Sequence, residues 1–206
     1  MKKLLLLIAC LGIASMLAWK LFSGHDPKPA AEQRDQPLAI HSQSSVFGPS
    51  FNALLAAYYS LSEALADSDT LKANRSALVL QHQSDSLPFS GLQGDSSVIL
   101  TAKNLATSMS HEAEGFLGES SLEQKRRSFN MLTDELYNFI RAIRYDGSKI
   151  FYVQCPLAFQ DSTVGYWLSS KREPNNPYLG KSSASGGQPN LGGYSVVDSL
   201  DFSQAP

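Results

Sequence analysis

Apolar residues in the middle of the chain recur at three- and four-residue steps, the spacing that lines one face of an α-helix. Phe51, Leu54, Leu55, Tyr58, Leu61 and Leu65 form the first stripe and predict a helix from Phe51 to about Ala66, with Ser50 as its N-cap. Asp67-Ser68-Asp69 then breaks the helix and starts another, because each side chain can accept from a free amide of a first turn. The second helix has an apolar side of mostly small residues, Leu71, Ala73, Ala77, Leu78 and Leu80, and is expected to end near Gln83, before a loop marked by Pro88, Gly91 and Gly94. A third is expected from Asp95 or Ser96 to about Glu114, with Val98, Ala102, Leu105, Met109 and Phe116 as its stripe and Gly115 and Gly118 as stop signals. The fourth opens on a capping-box spacing, Ser121 three residues before Gln124, and carries Leu122, Phe129, Leu132, Leu136, Phe139, Ile140 and Ile143.

Each stripe needs an apolar partner, and consecutive helices on short loops supply one most simply as an antiparallel bundle. The period changes after the Asp146-Gly147 turn. Lys149 to Val153 and Val164 to Leu168 are rich in β-branched and aromatic residues and predict two short strands that can pair. The expected fold class is therefore mainly α, an antiparallel four-helix bundle with a small C-terminal β-containing cap, over residues 51–180. Residues 181–206 are expected to be a flexible tail, in which Tyr194 to Val197 is the one strand candidate.

The other end of the chain has a different pattern. Lys2 and Lys3 precede an apolar run from Leu4 to Phe22, close to the ~20 residues that cross a bilayer core. Basic residues stay inside, so residues 1–22 are expected to be a single-pass signal-anchor with the rest of the chain facing outward. A cleaved secretory signal and a lipid anchor are the alternatives. Leu7-Ile8-Ala9-Cys10 looks like a lipobox, but the apolar run before Cys10 is short and continues beyond it, and residues before either cleavage point fit poorly. Residues 23–50, with Pro27, Pro29, Pro37 and Pro49 among polar residues, cannot bury a core and form a spacer.

Charge narrows the partners. A net charge of −2 offers no basic patch to neutralise phosphates, so nucleic acid is not an expected partner. The candidate chemistry is sparse. His111-Glu112-Ala113-Glu114 lacks the second histidine of the zinc-protease motif, its place being Gly115, and His111 lies off the apolar stripe on a solvated face. His82 suits the negative end of a helix dipole, His25 and His41 lie in the spacer, and Asn74-Arg75-Ser76 falls inside a helix, where a glycosylation signal carries little weight. What remains is the segment around Cys155, the one cysteine outside the N-terminal run, followed by a proline that stiffens the turn. Cys155 has three open roles: a buried residue of the turn, a single metal ligand completed by a partner or a second copy, or a redox or nucleophilic thiol. No base is tied to it by spacing, and Trp167 and Tyr178 read as core anchors.

Three short motifs in this segment carry a resemblance. Cys155, Pro156 and Ala158, then Tyr166, Trp167 and Leu168, then Asn176, Pro177, Tyr178 and Gly180 resemble a bacterial extracytoplasmic domain-of-unknown-function family, found alone or joined to membrane-fusion proteins of copper and silver efflux systems. The resemblance implies a helical bundle followed by a short β region, an anchor in a bacterial inner membrane with the domain facing the periplasm, an efflux or other envelope protein as partner, and a copper or other soft-metal site at Cys155. The chain departs from that pattern where sulfur is expected: Leu157 stands for methionine, and Ser183, Ala184, Ser185, Gly186 and Gly187 stand for the Met-x-x-Cys-Gly end. A Cu(I) site wants two or three soft donors converging on one ion. Besides Cys155 the chain after the apolar run has sulfur only in Met109 and Met131, both on predicted helices, where filling the core explains them. The expectation is a non-enzymatic binding or assembly module without a cofactor, accessory to a heavy-metal efflux system and not itself a competent chelator. A copper-binding accessory acting through Cys155 is the alternative, and a thiol enzyme a more distant one.

Overall fold

The chain begins its regular structure earlier than its stripe suggests. In the computed structural model, which describes residues 46–92, 95–180 and 193–203, helix α1 spans Phe47–Ala66. Pro49 falls in its first turn, where the amide it lacks would have no partner in any case. Phe47 is fully buried and stacks 6.0 Å from Phe51, and this burial carries the helix through the Pro-containing turn. Ser50 is consequently inside the helix, its hydroxyl donating back to the Val46 carbonyl at 3.0 Å, and is not the N-cap.

Helix α1 ends in a Schellman turn. Ser68 takes a left-handed φ of 57°, and the amides of Ser68 and Asp69 donate to the carbonyls of Leu65 and Ala64. Asp69 then caps α2 (Thr70–Asp85), accepting from the Lys72 amide at 2.9 Å. The buried face of α2 is Ala73, Ser76, Ala77, Leu80 and Ser84. Leu71 and Leu78, expected on that face, are 70% and 58% exposed. The small residues let α2 approach α1 closely, with the Ser60 and Ser76 hydroxyls 2.9 Å apart, and the two leucines are turned away by the helical period.

A short 3₁₀ turn, Phe89–Gly91, precedes α3 (Ser96–Gly118), which is capped by Asp95. The helix passes through Gly115 and ends at Gly118, instead of stopping near Glu114, because Phe116 is anchored in the core at 1% exposure. The Lys125 ammonium, buried at the start of the next helix, donates to the Phe116 carbonyl at 2.8 Å and lies 4.7 Å from its ring, while burial lowers its pKa. A Cβ added at Gly115 meets nothing within 4 Å. Gly115→Ala is therefore expected to raise the unfolding free energy by about 0.5–1 kcal/mol, measured by urea denaturation.

Helix α4 (Leu122–Ile143) has the full capping box, with Ser121 and Gln124 satisfying each other's backbone amides. It closes the bundle against α1 in antiparallel sense: Phe139 packs on Phe51 with ring centroids 5.3 Å apart, and Phe129 on Tyr58 at 5.2 Å. The core is made of these rings together with Leu54, Leu61, Leu80, Met109, Phe116, Leu136 and Ile140. Met131, expected in the core, is 51% exposed on the outer side of α4.

Arg144, left-handed after the last turn of α4, redirects the chain into a three-stranded antiparallel sheet of order β2-β1-β3: β1 (Ile150–Cys155), β2 (Gly165–Ser169) and β3 (Ser195–Leu200). Strand β3 runs to Leu200, beyond the expected Val197. The register jumps from Tyr152↔Asp198 to Val153↔Val196, so Val197 is an extra residue that breaks the two-residue alternation a strand normally shows. Tyr137 of α4, Tyr152 of β1 and Tyr166 of β2 stack in sequence, at 4.3 and 5.1 Å, and tie the sheet to the bundle. The described residues belong to one compact unit, residues 37–206. No helix among them is long and apolar enough to cross a membrane. The expected anchor at residues 1–22, the spacer up to residue 45, and Ser183 to Gly187 lie outside the described residues.

Candidate functional site

Strand β2 is an edge strand, and an edge leaves alternate backbone groups in need of partners. Here the helices supply them. The Leu168 amide donates to the Tyr58 hydroxyl at 3.0 Å, and the Thr133 hydroxyl, 2.7 Å from that of Tyr58, donates to the Phe129 carbonyl at 2.9 Å. Thr133's proton being used, Tyr58 is the donor between the two, and burial pushes its pKa far up, so it stays protonated. One strand step away, Asn130 Oδ1 accepts from the Tyr166 amide at 2.7 Å and from the Tyr178 hydroxyl at 3.1 Å, while its amide donates to the Val164 carbonyl at 3.4 Å. The single proton of Tyr178 is shared between Asn130 Oδ1 and the Tyr166 carbonyl, which is the nearer of the two. Three elements thereby clamp one strand edge.

The turn at Cys155 is built around the same strand. Cys155 pairs with Gly165 across β1 and β2, and the Ala158 amide closes the turn on the Cys155 carbonyl at 3.3 Å, with Pro156 in the position whose fixed φ suits it. Gly165 has to be glycine: a Cβ there would lie 2.5 Å from that of Ala158 and 2.7 Å from the Tyr178 ring. Cys155 is fully buried and free, and its sulfur accepts from the Asn176 side-chain amide at 3.4 Å. The oxygen of Asn176 accepts from the amides of Tyr178 and Leu179, at 2.9 and 3.2 Å, which folds Asn176 to Gly180 into a compact turn closed by the left-handed Gly180. Arg126 of α4 pins this turn from below, donating from Nε to the Pro177 carbonyl at 2.8 Å.

The structure therefore brings Cys155, Trp167, Asn176 and Tyr178 together but spends their polar atoms on one another and on the backbone, with one exception. Leu157, in the place where the resemblance expects a ligand, is 69% exposed. His82 and His111 are exposed on α2 and α3. Among the described residues no three or more His, Cys, Asp or Glu side chains are grouped to hold a metal ion. The exception is Trp167: fully buried, its rings 6.0 Å from Tyr178 and 5.5 Å from Tyr194, it has an indole N–H with no partner among the described residues. An N–H sealed off in this way costs about 1–3 kcal/mol.

Trp167 walls a cleft of about 260 Å³ between α1, the start of α2, β2 and the loop that follows β2. Tyr59, Glu63, Lys72, Lys171 and Asn175 are among its other walls. Asn175 bridges the cleft, donating to the Glu63 carboxylate at 2.8 Å. Sequence alone did not single out Asn130, Tyr58, Thr133 or Arg126 as partners of the β region. Their signal is weak: a polar or hydroxylated side chain at, or next to, an apolar position of a helix stripe.

The comparisons add a match to the helical part only. No curated protein and no solved structure is significantly similar to the chain. The matched family model covers a little under half of the chain and stops before β1, so it leaves out the Cys155, Trp167 and Asn176 motifs. Over residues 54–146, from the second turn of α1 to the turn after α4, the chain is similar to a domain of unknown function, the family described as "Protein of unknown function (DUF3347)".

Proposed function

We propose that this chain is a non-enzymatic binding or assembly module, held at the outer side of a bacterial inner membrane by residues 1–22 and accessory to a heavy-metal efflux system without itself chelating the metal. The observation that carries the reading is the state of Cys155. Its sulfur is sealed in the core and already accepts a hydrogen bond from Asn176, and the residue after Pro156 is a leucine pointing to solvent. A soft-metal site needs several sulfur donors converging on one ion. A nucleophilic thiol needs access and an adjacent base. Among the described residues the groups around Cys155 meet neither condition, and what the cap offers outward is the polar cleft beside Trp167. The efflux association rests on the resemblance in the Cys155, Tyr166 and Asn176 motifs, and the membrane placement on the apolar run behind Lys2 and Lys3.

Competition for Cu(I) against a chromophoric chelator, with the full chain in detergent, tests the reading. Wild type and Cys155→Ser are expected to withdraw equally little copper. Stoichiometric withdrawal by the wild type that disappears in Cys155→Ser would make the chain a copper-binding accessory instead.

A further inference from the structure

We propose that the cleft beside Trp167 is a binding site for a small carboxylate, an inference that rests on the binding-module reading and gives it a ligand class. An indole N–H can only donate, so the group that completes Trp167 has to be an acceptor; ammonium groups and metal ions are excluded as its direct partners. Two cationic side chains, Lys72 from the first turn of α2 and Lys171 from the loop after β2, stand on the cleft walls against one carboxylate, Glu63. Two ammonium groups against one carboxylate leave the rim with a net positive charge, and the Glu63 carboxylate is engaged by the Asn175 amide at 2.8 Å. Four serines complete the polar lining, and the Tyr59 hydroxyl, which burial keeps protonated, adds no negative charge. The volume, about 260 Å³, suits a small molecule and not a folded chain. A carboxylate is the common acceptor that answers both a donor-only N–H and a net positive rim, since charge-assisted bonds are the stronger ones. The indole nitrogen is itself shielded, so a guest reaches it only if the cleft wall yields, and Ser170 and Lys171 are the exposed part of that wall.

The test uses the full chain in detergent with Trp19→Phe, which leaves Trp167 as the single tryptophan. N-acetylglycine is titrated against its neutral analogue N-acetylglycinamide, following Trp167 fluorescence and, independently, heat. The carboxylate is expected to bind saturably and about tenfold more tightly than the amide, as the loss of one charge-assisted contact implies. Lys72→Gln, a substitution at the edge of the cleft, is expected to weaken the carboxylate about fivefold or more and to leave the amide unchanged. Trp167→Phe, read by heat, is expected to weaken both probes, because both present an acceptor oxygen. Equal affinity for the two probes, carboxylate binding unchanged in Lys72→Gln, or no saturable signal from either probe would overturn the proposal. None of these outcomes involves Cys155, so the copper competition still decides the module reading by itself.

Discussion

Trp167→Ala is expected to lower the unfolding free energy by about 3–5 kcal/mol, the largest single-residue loss in the cap, because it empties a fully buried site that surrounding rings cannot refill. The indole is in contact with Tyr178 and Tyr194 and pairs across the strands with Val153, so its removal loosens both faces of the join between β1, β2 and the Asn-Pro-Tyr turn. Met131→Ala is the internal comparison. It deletes a side chain of similar reach from a position 51% exposed and is expected to change stability by less than about 0.5 kcal/mol. Urea denaturation of the two variants checks the difference, and a loss below about 1 kcal/mol for Trp167→Ala would show that the cap is not packed as described.

The second large effect is expected at Asn130. Its oxygen is the acceptor for the Tyr166 amide and the Tyr178 hydroxyl, and Tyr178 alone of the two has another partner, the Tyr166 carbonyl. Asn130→Ala strands the edge amide of β2 and is expected to cost about 2–3 kcal/mol, near the upper end for losing one partner of a partly buried group. Asn130→Asp, compared with Asn130→Ala at a pH low enough to protonate the new carboxyl, keeps the acceptor bonds and can still donate to the Val164 carbonyl, so it is expected to cost about half as much there. Equal losses in the two variants would mean that the side chain acts by filling space and not by holding the strand edge.

How much of this was legible in the sequence follows from what kind of residue carries each feature. Long apolar stripes gave the four helices and their antiparallel arrangement, because a stripe of Phe, Leu and Tyr can be satisfied in few ways. Stripes made of small residues misled: Leu71 and Leu78 outweigh Ala73 and Ala77 in hydrophobicity, yet close helix approach favours the small side chains and leaves the leucines in solvent. Glycine as a stop signal failed at Gly115 because the buried Phe116 and the Lys125 ammonium hold the last turn. Strand β3 was legible only as far as Val197, where the bulge ends the alternation. In the site, the burial of Trp167 and Tyr178 followed from their size, and the structural use of Cys155 was one of three readings that the residues left open. The Asn130 and Tyr58 clamps were not legible, since their partners are 36 and 110 residues away in the chain and are backbone amides, which carry no sequence signature.

The central claim is that the Cys155 turn is a sealed piece of scaffold and not a centre of chemistry. It is tested most directly by alkylating the full chain in a Cys10→Ser background, where Cys155 is the only thiol. The rate in buffer is compared with that in denaturing urea. Burial at 0% exposure predicts labelling only through opening of the cap, slower than in the unfolded chain by about a thousandfold or more. Labelling in buffer within about tenfold of the unfolded rate would place an accessible thiol on the surface and contradict the account.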